Sequence, residues 1–432
     1  MSLNQKIFAL AWPIILSNIS VPLLGLVDTA VLGHLSSADY LAAVALGASL
    51  FSFLFWGFGF LRMGTTGVVA QAAGQQHWAQ VIQLLQQGIV LALAVASVLL
   101  LAQTWLIEWG LVLLTDDQGL QQLAGQYAGV RIWAAPAVLI NYVLLGWFLA
   151  QQNSRFSFYM LVLGNSVNIV LDLWFVLGLG WGVPGVAMAT LIAEVSGMAF
   201  GLWLVRDGLR IAGARVFDAV RLKRMATVNG HIMIRSVLLQ GCFTAFLFLS
   251  SGRGDLVIAA NQILLQFLEL MAYLLDGFAF AAETLVGQAV GARSRERLAR
   301  AVRMTSIWGG AGALLMAGLF ALAGPAIIDL MTTAGDVRAE ARHYLPWIVA
   351  APLVAIAAWM LDGIFIGATF TREMMLSAAL SAATYVLCVW AFLGYGNHGL
   401  WLSLMVFNAA RGLSLAALYP KIPRSLNPLP LA

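Results

Sequence analysis

The chain has 432 residues, of which 61% are hydrophobic and only 10% are charged, with a formal net charge of +4. Soluble globular domains carry about 25% charged residues, so this composition excludes a large soluble domain. Apolar runs of about 20 residues, each long enough to cross a hydrocarbon core of about 30 Å, recur from one end to the other. The sequence therefore predicts an all-α polytopic membrane protein.

Twelve membrane spans are predicted in chain order. The first is too long for the core of a signal peptide, so it is expected to remain as a span. The eighth is long enough to tilt or to extend beyond the bilayer. The predicted limits are 7–32, 41–62, 85–107, 130–150, 157–178, 184–205, 231–251, 256–290, 305–324, 345–367, 374–394 and 398–418.

The basic residues predict the orientation of the spans. With both termini in the cytoplasm, 19 of the 23 lysines and arginines, Arg235 and Arg411 among them, fall on the cytoplasmic side. This is the asymmetry that the positive-inside rule describes. It explains the basic balance without a nucleic-acid partner, and we expect the protein in the inner membrane of a bacterium.

The sequence repeats itself at a nearly constant offset. Residues 68–75 match residues 285–292 at an offset of 217, and the Ala-Ala-Pro of 134–136 matches that of 350–352 at 216. Six is an even number of spans, so two such halves would insert in the same orientation. The sequence thus predicts two homologous six-helix lobes and a basic linker, at 1–205 for the N-lobe, 206–230 for the linker and 231–432 for the C-lobe.

Four polar residues interrupt the apolar spans of the first half, namely Asp28, Asn168, Asp172 and Thr190. A charged side chain at the centre of a bilayer costs roughly 2.5–3.5 kcal/mol on insertion scales, so such residues usually have a function. Asn168 and Asp172 are four residues apart and share one helix face. A desolvated carboxyl group can take up a proton near neutral pH, and the same oxygens suit Na⁺. The four residues therefore predict a coupling site for H⁺ or Na⁺, with no other cofactor.

The repeat separates these carboxylates from the shared architecture. At the repeat offset Asp28 matches Ala245 and Asp172 matches Cys388, so the second half lacks what the first half carries. The alternative is that Asp28 belongs to an external turn and that Asp172 is a structural hydrogen-bonding acid. The residues alone leave both interpretations open.

Other polar residues of the first half are candidates for a substrate cavity. Glu194 lies one turn beyond Thr190, and it either lines the cavity or forms a structural hydrogen bond. Asn141 in span four is a second candidate. Pro13 and Pro22 each remove a backbone hydrogen bond from span one, and they are its predicted hinges.

Span eight carries an acidic stripe in an apolar helix. Glu269, Asp276 and Glu283 recur every seven residues, which keeps them on one face. Such a stripe would serve substrate passage or gating, and the alternative is that it pairs with Arg62 or Arg235. Gln262 on the same span and Asp362 on span ten complete the candidates for the cavity.

Catalytic and metal-binding motifs are absent from the sequence. There is no CxxC, HExxH, Walker loop or GxSxG, and the five histidines have no metal-ligand spacing. An intramembrane enzyme would need a nucleophile–base pair or a metal cluster, so the sequence favours a protein that is not an enzyme. Cys242 and Cys388 are predicted to be buried free thiols.

Four segments carry a family resemblance, at 26–33 (LVDTAVLG), 168–172 (NIVLD), 185–190 (GVAMAT) and 361–369 (LDGIFIGAT). In their order and spacing they resemble the multidrug and toxic compound extrusion (MATE) family, and within it the DNA-damage-inducible F branch. The resemblance covers essentially the whole chain. It implies a transporter that exchanges inward-moving H⁺ or Na⁺ for an outward-moving organic, often cationic, compound.

The resemblance also implies roles for single residues. Asp28 would bind the coupling cation, and Asn168, Asp172 and Thr190 would complete the N-lobe site. A glutamate that other branches carry in span seven has no match here. The implied partners are small organic substrates and membrane lipids, and the implied working form is a monomer. The rival interpretations are a flippase for a lipid-linked precursor, which should have a cationic cavity, and a receptor, which has no use for isolated buried acids.

Overall fold

The computed structural model describes the backbone of residues 2–32, 38–211 and 218–427, and the side chains of residues 2–20, 39–209 and 218–427. Nearly all of these residues are helical, and no β-strand occurs among them. The helices before the central linker are α1 (Leu3–Leu32), α2 (Ala38–Trp56), α3 (Phe60–Gly74), α4 (Trp78–Leu101), α5 (Gln103–Leu114), α6 (Gln118–Arg131), α7 (Ala135–Ala150), α8 (Ser154–Asp172) and α9 (Gly182–Ile211). The later helices are α10 (Ala219–Ser251), α11 (Asp255–Gly291), α12 (Arg295–Met331), α13 (Gly335–Gly367), α14 (Thr371–Ala391), α15 (Gly396–Leu418) and α16 (Lys421–Arg424).

The predicted fold class is confirmed. Among the residues with described side chains, eleven helical stretches are long and apolar enough to cross a membrane. The 30-residue α1 precedes them and completes the twelve transmembrane helices of an all-α membrane protein. Cys242 and Cys388 are free cysteines, as predicted, but only Cys242 is buried and Cys388 is half-buried.

Several predicted spans are shorter than the helices that contain them, whereas 41–62 and 85–107 run across the breaks between α2 and α3 and between α4 and α5, and 374–394 runs past the end of α14. α12 covers Arg295–Met331 where the sequence predicted 305–324, and α11 and α12 each have 37 residues. At 1.5 Å per residue such a helix is about 55 Å long, so it extends well beyond a hydrocarbon core. An apolar run marks only the part of a helix that lipid surrounds, so the polar ends of the helix fall outside the predicted span.

Local chemistry places several helix ends. The Asp117 side chain accepts hydrogen bonds from the backbone N–H groups of Gly119 and Leu120, at 2.8 and 3.1 Å, and so caps α6. Ser294 caps α12 in the same way through the N–H of Arg297. A short 3₁₀ turn over Ile132–Ala134 separates α6 from α7, and Pro136 stands in the first turn of α7, where proline is well tolerated.

The internal repeat is visible in the backbone. Gln76 and Arg293 both have positive φ, at 59° and 50°, and they are 217 residues apart. Gln152 and Thr369 form a second pair at the same offset, with φ of 60° and 58°. Residues other than glycine seldom adopt this conformation. Two such pairs at one offset show that both halves end the corresponding helices in the same way.

A close helix crossing repeats as well. A Cβ atom on Gly146 of α7 would lie 2.4 Å from the backbone oxygen of Arg62 in α3. A Cβ atom on Gly363 of α13 would lie 2.3 Å from that of Ala279 in α11. Both glycines again stand 217 residues apart. Only glycine allows backbones to approach so closely, so each half brings its equivalent helix pair together through an equivalent glycine.

The chain divides into two compact units, residues 16–229 and residues 1–15 with 230–432. The first unit packs α8 against α9 and α3 against α7. The second packs α11, α12 and α13 against one another around an aromatic core, where the rings of Phe267 and Phe320 meet edge to face at 5.2 Å. The predicted limits of the two lobes and of the linker stay a prediction.

Candidate functional site

A cavity of about 200 Å³ lies among α7, α8 and α9 of the first unit. Its size suits a small group rather than a whole drug-sized molecule, for which pockets measure roughly 300–1,000 Å³. Its wall combines apolar side chains with a small number of polar ones. The polar lining residues are Asn141, Tyr142, Asn165, Asn168, Thr190 and Glu194.

Two of the predicted cation-coupling residues are in contact at this cavity. The Asn168 amide nitrogen on α8 donates to the Thr190 hydroxyl oxygen on α9 at 3.3 Å. The same hydroxyl donates to the backbone oxygen of Val186, one turn earlier, at 2.9 Å. Asn168 is buried, and its Oδ1 accepts no hydrogen bond from the described residues. A buried acceptor oxygen in this position suits a cation, because hard cations take oxygen ligands.

Asp172 lies one turn further along α8 and is completely buried. It is the last residue of α8, and a π-helical turn over Leu173–Gly178 follows it. Such widened turns are rare and are frequent at functional sites. Asn165, Asn168 and Asp172 are spaced three and four residues apart, so one face of α8 carries all three polar groups.

The sequence left two roles open for Glu194, lining a cavity and forming a structural hydrogen bond, and the structure shows both. It lines the cavity, and its carboxylate accepts a hydrogen bond from the Asn141 amide at 3.0 Å. Its other oxygen lies 3.5 Å from the Arg131 guanidinium. Arg131 is buried and also packs over the ring of Phe55, with its Cζ 5.3 Å from the ring centroid. Among the described residues of the cavity wall Glu194 is the one acidic side chain, and Arg131 partly balances its charge.

Arg131 and Asn165 are site residues that the sequence analysis missed. The sequence analysis assigned no role to Arg131, because it lies at the end of a span and its partner Glu194 is far along the chain. Asn165 donates to the Ser20 hydroxyl of α1 at 3.1 Å. Its position one turn before Asn168 was a signal that could have identified it.

The remaining coupling residue, Asp28, lies outside the residues whose side chains are described, and so does the predicted hinge Pro22. Pro13, the other predicted hinge, stands within α1, which is a continuous helix from Leu3 to Leu32. The hinge assignment stays a prediction.

The acidic stripe of α11 divides into three environments. Glu269 is exposed, and so is Gln262, which lies seven residues earlier on the same face. Asp276 is half-buried and accepts a hydrogen bond from the Trp359 indole N–H at 3.1 Å. Glu283 is completely buried. A seven-residue spacing aligns side chains on one face, but burial along that face depends on how much of the helix its neighbours cover.

Asp362 belongs to a buried ion cluster in the second unit. Its Oδ2 accepts hydrogen bonds from Arg235 on α10 and, at 2.8 Å, from Arg411 on α15. Both arginines count toward the predicted cytoplasmic side, which stays a prediction, and the structure adds that they are buried among helices. A charge count along the chain cannot separate a buried arginine from one at a membrane surface.

The described residues contain no group of three or more histidine, cysteine, aspartate or glutamate side chains that could hold a metal ion. The chemistry of the cavity is that of carboxylate, amide and hydroxyl oxygens. Such a set can hold a proton on a carboxyl group or coordinate a hard monovalent cation.

The chain is similar to known proteins over nearly its whole length. The family model described as MatE matches residues 13–174 and 232–391. The "DNA damage-inducible protein F" of Escherichia coli (strain K12) is 44% identical over 423 residues, which cover 97% of this chain and 92% of that protein. "Protein DETOXIFICATION 44, chloroplastic" of Arabidopsis thaliana is 27% identical, with 95% of this chain and 81% of that protein covered.

Solved structures share the fold. One, described as the outward-facing conformation of a multidrug resistance MATE family transporter of the MOP superfamily, superposes with a TM-score of 0.88 at 19% identity. The superposition covers 99% of this chain and 98% of the other. At this level of identity the likeness concerns the fold alone.

Proposed function

Because the chain belongs to the multidrug and toxic compound extrusion (MATE) family, we propose that it exports organic, mostly cationic compounds in exchange for H⁺ by alternating access. Na⁺ is the alternative coupling ion. Members of this family are transporters of toxic compounds and not enzymes, and the chain is an integral membrane protein. The proposal concerns the coupling ion, its site and the cycle.

The contact between Asn168 and Thr190 beside the buried Asp172 is the observation that supports this proposal most strongly. A carboxylate that is shielded from water and has amide and hydroxyl neighbours can exchange a proton or a cation, because its charged form depends on what is bound nearby. We propose that Asp28 completes this site from α1.

The cycle follows from two states of Asp28. The ionised carboxylate attracts a cation or hydrogen-bond donors, and the protonated form loses most of that attraction. We propose that protonation then lets α1 bend at Pro13 or Pro22, which narrows the substrate site and releases the compound outward. A tenfold difference in proton affinity between the two conformations contributes roughly 1.4 kcal/mol to the switch.

The remaining elements of the proposal concern the setting. We place the protein in the bacterial inner membrane with both termini in the cytoplasm, on the strength of the basic-residue asymmetry. A single chain with small organic substrates and surrounding lipids suffices for the mechanism.

The flippase interpretation predicts a cationic cavity for a pyrophosphate group. Among the described residues, the wall of the cavity contains the carboxylate of Glu194 and no lysine or arginine. The charge of this wall favours a cationic compound over a pyrophosphate.

Transport in liposomes tests the proposal. The purified protein is reconstituted, and efflux of a fluorescent organic cation is measured under a pH gradient alone and then under a Na⁺ gradient alone. We expect the pH gradient to drive efflux in the wild type and not in Asp28→Asn, because an amide keeps the size of the side chain and cannot titrate. Efflux of equal rate in Asp28→Asn would remove Asp28 as the coupling residue, and Asp172→Asn is then the next variant to test.

A further inference from the structure

The ion cluster of the second unit contains more positive than negative charge. Arg235 and Arg411 both donate to one oxygen of Asp362, Oδ2. No other charged side chain forms an ion pair with any of these three among the described residues. Two guanidinium groups and one carboxylate therefore leave one positive charge uncompensated.

This charge is largely shielded from water. The side chains of Arg411, Asp362 and Arg235 keep only 5%, 10% and 11% of their surface exposed. The Nε atoms of both arginines are buried, and neither donates a hydrogen bond to a described residue. A buried donor of a charged group is costly when it is left unsatisfied, and a native structure usually satisfies such donors with water or an ion.

The shared architecture does not require the cluster. The residues that stand 217 positions before Arg235, Asp362 and Arg411 are Asn18, Leu145 and Glu194. The first half thus has an acid where the second half has Arg411. Since both halves have the same glycine crossings without sharing these charges, the fold does not require the three charges, and a ligand of their own would account for them.

We propose that Arg235 and Arg411 bind the carboxylate group of an organic anion. A guanidinium group presents parallel N–H donors that match a carboxylate in a bidentate arrangement, and the site has two of them with spare donors. The remaining exposure of Arg235 and Asp362 provides access to the site. The ring of Trp359 packs on Arg411, with its centroid 5.4 Å from the Arg411 Cζ, and its indole N–H donates to Asp276.

This site extends the range of compounds that the protein accepts. The cavity of the first unit presents oxygens to a cation, whereas the cluster of the second unit presents guanidinium groups to an anion. Compounds that carry a carboxylate, alone or together with a positive charge, would therefore be bound. The binding of a carboxylate does not depend on the coupling ion, so it is measured without transport.

Binding of benzoate and acetate to the full-length protein in detergent tests the proposal. Calorimetric titration gives the affinity, and thermal unfolding is followed in parallel at constant ionic strength, with chloride as the reference anion. We expect benzoate to bind at one site and to raise the unfolding temperature. Arg235→Gln should lose roughly tenfold or more in affinity, because hydrogen bonds between charged groups contribute about 1.5–3 kcal/mol. That variant should fold, since Asp362 and Arg411 remain as a neutral pair.

Asp362→Asn separates this proposal from a purely structural role. The variant leaves two buried guanidinium groups without a carboxylate, so it should unfold at a lower temperature in chloride. If the cluster is an anion site, the same variant should bind benzoate more tightly than the wild type and should regain stability in its presence. The matched control is Arg342→Gln, whose partner Asp329 forms an exposed ion pair, and which should respond to the anions as the wild type does.

Three results would overturn the proposal. If Asp362→Asn is destabilised to the same extent in every anion, the cluster is structural. If chloride acts as strongly as benzoate and acetate, the site holds a halide and the carboxylate assignment is wrong. If Arg235→Gln binds benzoate as the wild type does, the anion lies elsewhere. None of these results bears on cation-coupled efflux, so the proposed function is tested separately.

Discussion

Arg131 should control how strongly the first unit attracts a cation. Its guanidinium lies 3.5 Å from the Glu194 carboxylate. It therefore occupies the position in which a bound cation would be attracted most strongly by that carboxylate. Arg131→Gln keeps a hydrogen-bond donor there but removes the charge. We therefore expect this variant to bind a monovalent organic cation more tightly than the wild type, whereas Glu194→Gln should bind it more weakly.

The size of the effect follows from the geometry. Two unit charges 3.5 Å apart interact by roughly 5 kcal/mol at an effective dielectric constant of about 20. The Glu194 side chain is 30% exposed, so solvent screening reduces the net value to about 1–2 kcal/mol. The affinity should then change by roughly 5- to 30-fold.

Equilibrium binding of a fluorescent organic cation in detergent measures this effect. The double variant Arg131→Gln/Glu194→Gln should bind as Glu194→Gln does, because Arg131 acts through Glu194. An uncharged compound should show no change in any of these variants. If Arg131→Gln binds the cation no more tightly than the wild type, or if the double variant keeps the gain, the pair does not control cation binding.

Three further predictions concern the fold and the coupling site. Gly363→Ala and Gly146→Ala should each lower the stability by about 1–3 kcal/mol in thermal unfolding, since the new Cβ would overlap a backbone oxygen. Gly318 has open space around it, so the control Gly318→Ala should leave the stability unchanged. Asp172→Asn should abolish efflux driven by a pH gradient, whereas Thr190→Ala, which removes one neutral oxygen, should only slow it; equal rates in both would contradict the proposed roles. Affinity for a permanently charged cation should fall as the pH is lowered from about 8 to 5, because protonated carboxyl groups lose their attraction, and a flat profile would contradict this.

The sequence predicted those features that local pattern determines. Each span is marked by its own hydrophobicity, and the repeat is marked by short segments at one offset. The sequence also grouped Asn168 with Thr190, because both are polar residues in apolar spans and the family resemblance implies a shared site for them.

The ion clusters were beyond sequence reasoning for a physical reason. Arg235 and Arg411 are 127 and 49 residues from Asp362 along the chain, and no periodicity links such positions. An arginine near a span end satisfies the positive-inside rule whether it lies in water or beneath a neighbouring helix. Only the packing of α10, α13 and α15 distinguishes the two.

The two halves share one backbone frame, the set of helix crossings and turns that repeats, but they differ in the charge of equivalent residues. Glycine crossings and positive-φ turns recur at an offset of 217, and they depend on the course of the backbone rather than on charged side chains. Glu194 and Arg411 stand at equivalent positions but take part in neither of these contacts. The frame therefore does not restrict their charge. Each half could acquire its own ligand preference without loss of fold.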